Sequence, residues 1–208
     1  MKTLVLASSN RGKLAEIQQV LAGSGLSLVT QGELGVRDAI EDSSTFVENA
    51  LIKARHACAA TGLPALADDS GLIVDALDGA PGLISAHYAG VHGDSAGNIR
   101  KLLAALAGVP EDKRTARFYC TIVLLRHAGD PLPLIVEGTW EGRILDAPRG
   151  SDGFGYDPVF YDPALRAGAA ELPPELKNRV SHRGQALAHL RERLAWWNST
   201  LGECDESC

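Results

Sequence analysis

No apolar run in the chain approaches the roughly 20 residues that a membrane helix needs, so no membrane partner is expected. Positive charge is also short. The 208 residues carry 20 Lys and Arg against 26 Asp and Glu, a formal net charge of −6, with no basic stripe. Non-specific binding to nucleic acid or to an anionic membrane needs a basic surface, so the charge argues against both. It does not exclude a small anionic substrate, because the field of a local site can oppose the net charge. Cysteine is scarce: Cys58, Cys120, Cys204 and Cys208 are the four present. The first two fall in a helical and a strand pattern and read as buried apolar fillers. The other pair sits in a polar tail and is too small a set for a zinc site. A secretory pattern is missing, since the chain enters a strand pattern at once, and a cytoplasmic location is expected. Internal repeats, low-complexity segments and the Walker pattern G-x-x-x-x-G-K-[ST] are missing too.

What is present suits a single two-lobed domain over residues 1–200 with a polar tail at 201–208. Hydrophobic residues make up 45%, enough for a sizeable core. Residues 3–7 and 26–29 read as short strands, with Leu14, Ile17, Val20 and Leu21 at helical spacing between them and Gly23 as a stop. Residues 31–44 are polar, acidic and without period, hence a loop. Thr45-x-x-Glu48 is a capping box that opens a helix to Thr61, with Gly62 at its end. Strands are predicted at 64–67 and 72–77, separated by an Asp68-Asp69-Ser70-Gly71 turn. A turn at 79–82 and a helix over 94–106 follow. Long strands over 116–126 and 134–145 suggest an antiparallel pair joined through Gly129-Asp130-Pro131. Residues 148–158 form a Gly- and Asp-rich loop, residues 174–180 a short helix opened by proline, and residues 181–201 a closing helix with Leu187, Leu190, Leu194 and Trp197 at core spacing. Interleaved strands and helices with an antiparallel central pair point to an α/β fold whose elongated central sheet is mixed and flanked by helices.

Several groupings carry chemistry. Asp68 and Asp69 place two carboxylates at the end of an apolar run, and Mg²⁺ typically binds through one or two carboxylates plus substrate phosphates. Adjacent strand residues point to opposite faces, so one of the two is the ligand candidate and its neighbour orients a lysine or a water. Glu41, in the acidic loop, is a candidate second carboxylate. Carboxylates at such places also serve as turn formers or simply face solvent. Ser8-Ser9-Asn10-Arg11-Gly12-Lys13 lies between a strand and a helix, where backbone N–H groups and the macrodipole favour an anion; a plain polar cap is the competing reading. Gly153-Phe154-Gly155-Tyr156-Asp157-Pro158 brackets aromatics with glycine, so a ring there either stacks on a base or covers the core. Lys177 and Ser181-His182-Arg183-Gly184 bring cationic donors to a helix start, where positive charge opposes the dipole. Lys53 lies on the 45–61 helix, where a lysine is most often solvated.

Taken in order, these blocks resemble the inosine triphosphate pyrophosphatase family, also called Ham1-like. The blocks are Ser8–Lys13, Thr45–Ala54, Ala67–Leu72 with Gly79-Ala80-Pro81-Gly82, Gly153–Pro158 and Ser181–Leu187. The resemblance runs from Leu4 to about Leu190. Ser8-Ser9 stands where threonine-glycine is commoner, and the Cys204–Cys208 extension has no counterpart. The resemblance implies Mg²⁺-dependent hydrolysis of ITP, dITP and XTP to the monophosphate and pyrophosphate, cleansing the nucleotide pool. It implies a homodimer of two-lobed subunits with the site in the cleft between lobes. It makes Asp69 the general base and Glu41 with Asp69 the metal residues. Ser8, Ser9, Asn10, Arg11, Gly12, Lys13, Lys53, Asp68 and Ser70 then serve the phosphate end, and Phe154, Gly155, Tyr156, Asp157, Lys177, His182 and Arg183 the base end. A nucleotide-binding regulator without turnover and a sister enzyme acting on pyrimidine or methylated nucleotides are the alternatives.

Overall fold

The computed structural model describes residues 2–8 and 11–200, and the side chains of these except at positions 11–13, 15, 16 and 200. Helices and strands alternate from the start: β1 (Lys2–Leu6), α1 (Arg11–Leu21), β2 (Leu26–Thr30), α2 (Phe46–Thr61) and β3 (Ala65–Val74). Then come α3 (Ser95–Ala105), β4 (Thr115–Leu125), β5 (Leu134–Ile144), β6 (Phe160–Asp162), β7 (Ala167–Gly168), α4 (Pro174–Val180) and α5 (His182–Thr200). One seven-stranded sheet has the order β2-β1-β3-β4-β5-β6-β7. β1 runs parallel to β2 and to β3, and β6 runs antiparallel to β5 and to β7. The sheet is therefore mixed, as the pattern predicts. No described helix is long and apolar enough to cross a membrane.

The chain divides into two compact units. The first comprises residues 1–69, 121–137 and 186–208, and the second residues 70–120 and 138–185. In the first unit, β1 and the start of β3 form parallel strands, Val5 pairing with Ala65 and Leu6 with Leu66. Val5, Ala7, Ala65, Ala67, Val123 and Leu125 pack with Ala50, Ala54, Ala57 and Cys58 of α2. Positions 50, 54 and 57 recur every three or four residues, with Cys58 beside them, and their small size lets the helix lie close to the sheet. Leu4, Leu6 and Leu66 alternate with these residues, point to the other side and are fully buried. Thr45 caps α2: its hydroxyl accepts from the Glu48 N–H at 3.3 Å and donates to the Glu48 carboxylate at 2.7 Å. Gly62 ends the helix with a left-handed φ of 69° and an N–H donated to the Cys58 carbonyl.

The second unit is built around Phe118, Trp140 and Phe160, whose rings lie 4.6–6.2 Å apart. Leu72, Val74, Leu102, Leu106, Ile144, Tyr156 and Val159 join that cluster. Asp94 caps α3, accepting from the Gly97 N–H at 2.9 Å. An added Cβ on Gly97 would lie 2.2 Å from the Asp94 carboxylate, so the cap is tight because this residue lacks one.

Two findings depart from the sequence expectation. The Asp68–Gly71 segment is no turn; it continues β3 as one ten-residue strand, which ends at Val74 in a 3-10 turn over Asp75–Leu77. Local turn propensity yields to tertiary context here. Leu66, Leu72 and Val74 are all fully buried, and that burial holds the strand extended through its polar middle. The second is β6 and β7, at three and two residues too short to show a period.

Candidate active site

Strand alternation decides where the paired aspartates go. Ala65 and Ala67 face the α2 cluster, so Asp69, two residues on, faces α2 as well, while Asp68 turns to the opposite side with Leu66. On α2, Lys53 lies next to the Ala50–Ala54–Ala57 stripe and reaches the strand. Its Nζ donates to Asp69 Oδ1 at 3.1 Å and to Glu41 Oε2 at 2.9 Å. Two carboxylates distant in sequence thus converge on one ammonium group. The lysine and aspartate side chains are 13% and 16% exposed, and the glutamate 40%.

The electrostatics follow from that arrangement. Burial raises the Asp69 pKa above the ordinary carboxylate value; Lys53 opposes the rise, and the charges of Glu41 and Asp68 add to it. For Lys53, burial pulls the ammonium down, but Asp69 and Glu41 outweigh it and the net direction is up. Lys53 therefore stays charged, and Asp69 is a stronger base than a solvated aspartate.

A hard divalent cation fits this donor set. Glu41 and Asp69 would supply oxygen ligands, and they already meet at a point that holds a cationic group. Among the described residues, no group of three or more His, Cys, Asp or Glu gathers to form a full protein cage. Mg²⁺ seldom uses such a cage and takes its remaining ligands from waters and phosphates.

The second unit presents a different surface. Phe154 is 63% exposed, a large apolar ring facing water. Two cations attend it, Lys177 Nζ at 4.9 Å and the Arg183 guanidinium at 5.9 Å from the ring centre. Asp157, only 4% exposed, ties the group together by accepting from the Phe154 N–H and from Lys177 Nζ, each at 2.6 Å. Gly153 makes this possible. Its φ is +83°, and a Cβ there would stand 2.3 Å from the Asp157 carboxylate and 2.8 Å from Lys177 Nζ. Gly184 plays a similar part at the start of α5, where a Cβ would lie 1.8 Å from the Asn178 carbonyl oxygen.

Other sequence candidates are placed as follows. Tyr156 is buried in the core, and its hydroxyl donates to the Ser85 carbonyl at 2.9 Å. The His182 ring stacks on Phe118 at 4.8 Å, near parallel. Gly155 has a positive φ of 61° beside Phe154. Ser70 continues β3, and Ser8 follows β1; both are half-buried. Arg11, Gly12 and Lys13 open α1; their side chains lie outside the described residues, as do Ser9, Asn10, Cys204 and Cys208. Two side chains went unassigned by sequence reading. Asn49 accepts from the Ser43 N–H at 3.2 Å, and His56 Nε2 lies 2.9 Å from the Arg37 carbonyl oxygen. Their signal was spacing alone: they stand four residues before and three after Lys53, on its helix face.

Comparison with known proteins gives a consistent picture. The Ham1 family model matches residues 4–193. A dITP/XTP pyrophosphatase of Xanthomonas oryzae pv. oryzae is 64% identical over 194 residues, 93% of this chain and 98% of the relative. One from Vibrio cholerae is 54% identical, covering 91% of this chain and 95% of the relative. A solved HAM1 protein from Coxiella burnetii superposes with a TM-score of 0.91 at 52% identity, over 94% of this chain and all of that one.

Proposed function

The chain belongs to the Ham1 family, and on that premise we propose that it hydrolyses dITP, ITP and XTP to the monophosphate and pyrophosphate, with Mg²⁺. The observation that carries the chemistry is the Glu41–Lys53–Asp69 bridge. Asp69 is the general base, held by Lys53 at 3.1 Å with its side chain mostly buried. Glu41 and Asp69 hold the metal, which when bound supplies charge neutralisation for the phosphates and lowers the pKa of water. Lys53 fixes both carboxylates and balances their charge. Ser8, Ser9, Asn10, Arg11, Gly12 and Lys13 grip the phosphate chain at the start of α1, because a helix N-terminus and its macrodipole favour anions. Asp68 and Ser70 flank the base on the same strand.

Phe154 stacks on the purine. Arg183, Lys177 and His182 donate to the oxygen at purine position 6, which hypoxanthine and xanthine carry and adenine lacks. Asp157, Gly155 and Tyr156 serve by fixing the loop that carries Phe154. Cleansing of the nucleotide pool, a cytoplasmic location and a homodimer complete the reading.

A panel of ITP, XTP and ATP, assayed with and without Mg²⁺, tests it. ITP and XTP should turn over only with Mg²⁺. ATP should be worse in kcat/KM by roughly 10²-fold or more, since adenine's N–H groups would face buried donors. Equal turnover of ATP and ITP contradicts the donor assignment, and binding of ITP without turnover would make the protein a nucleotide-binding regulator.

A further inference from the structure

Glu41 belongs to a segment that cannot hold itself in place. Residues 37–44 have no regular structure and are mostly exposed. Among the described residues, no backbone–backbone hydrogen bond ties them to the rest of the chain. Ordering such a segment costs conformational entropy, so side-chain anchors must offset it.

Gln31 anchors Asp38 through its side-chain amide, and three side chains of α2 hold the segment in sequence. Asn49 Oδ1 accepts from the Ser43 N–H at 3.2 Å, Lys53 Nζ donates to Glu41 at 2.9 Å, and His56 Nε2 meets the Arg37 carbonyl at 2.9 Å. A carbonyl oxygen only accepts, so Nε2 carries the proton in this bond. Positions 49, 53 and 56 are four and three residues apart and share one helix face. Their partners run 43, 41, 37, in reverse order, so the loop lies antiparallel along the helix. Asn49 is 4% exposed, while His56 is exposed.

We infer that Asn49 and His56 are positioning residues: they pin the loop on either side of Glu41 and hold its carboxylate beside Asp69 for a divalent cation. The inference rests on Glu41 and Asp69 being the metal residues. It differs from a general stability role in its target, since it acts through one carboxylate.

The test compares the full chain with His56→Ala, His56→Gln, Glu41→Gln and the double variant His56→Ala/Glu41→Gln. The first readout needs no activity: tryptic cleavage after the exposed Arg37. Cleavage should quicken about fivefold in His56→Ala, the effect of one ordinary hydrogen bond, and return toward wild type in His56→Gln, whose amide restores a donor. The second readout is the Mg²⁺ concentration for half-maximal ITP hydrolysis. It should rise by a similar factor in His56→Ala, with KM for ITP and Tm unchanged, and should not rise further when the histidine is removed from Glu41→Gln. Unchanged cleavage and Mg²⁺ requirement in His56→Ala overturn the inference, and so does an undiminished effect in the double variant. If Glu41→Gln leaves the Mg²⁺ requirement unaltered, Glu41 is not a metal residue. Faster cleavage in His56→Ala would then mark the clamp as structural only, and the inference falls with the metal assignment.

Discussion

Asp69 is held between opposing influences. Burial and the neighbouring carboxylates favour its protonated form, and Lys53 favours the ionised one. The net direction is up, which is the direction that favours the proposed role of base. Asp69→Asn keeps the shape and loses the charge. Turnover of ITP should fall by roughly 10²-fold or more, with the circular dichroism spectrum unchanged; a variant that keeps a tenth of wild-type activity would remove Asp69 from the role of base. Phe154 gives a second test at this scale. Its ring is 63% exposed, so Phe154→Ala should leave Tm nearly unchanged. If the ring stacks on the purine in ground state and transition state alike, KM should rise by a factor corresponding to roughly 1–3 kcal/mol while kcat changes little. An unaltered KM would give the ring another purpose.

At the scale of elements, the hairpin that joins β4 to β5 shows how one carboxylate organises a turn. Asp130 is 1% exposed. It accepts from the Arg126 N–H and the Leu132 N–H, both at 3.0 Å, and pairs with the Arg126 guanidinium. Burial alone would push its carboxyl up, but these donors hold it well below the usual carboxylate range. A depressed folded-state pKa adds stability that is fully present above the unfolded value of about 3.9 and is lost as pH falls below it. Asp130→Asn should therefore cost about 1.5–3 kcal/mol at pH 7, and the gap from wild type should narrow in urea unfolding at pH 3. A gap independent of pH would mean that shape rather than charge holds the turn.

The same scale shows what was legible in the sequence. Helix α2 was readable at both ends, because Thr45 and Gly62 act locally and their chemistry is written in adjacent residues. Strand β3 is not legible in its middle, because Asp-Asp-Ser-Gly has turn chemistry and only the burial of Leu66, Leu72 and Val74 overrides it. The meeting of Glu41, Lys53 and Asp69 could be guessed from family resemblance but not from pattern. It depends on the packing of α2 on β3, which spacing along one helix does not encode. Tyr156 shows the reverse: glycines and aromatics give its loop a functional pattern, yet its own side chain is buried in the core and bonds the Ser85 carbonyl.

For the molecule as a whole, the sheet runs through two units, each with its own apolar cluster. The proposal puts the acid–base and metal chemistry on residues of the first unit and purine recognition on residues of the second. Strands β3, β4 and β5 each contribute residues to both. The central claim is that a water deprotonated by Asp69 attacks the α-phosphorus of ITP. The most direct measurement is hydrolysis of ITP in ¹⁸O-labelled water, with mass analysis of the products. The account predicts labelled inosine monophosphate and unlabelled, intact pyrophosphate. Label in the pyrophosphate, or release of inosine diphosphate and orthophosphate as first products, would contradict it.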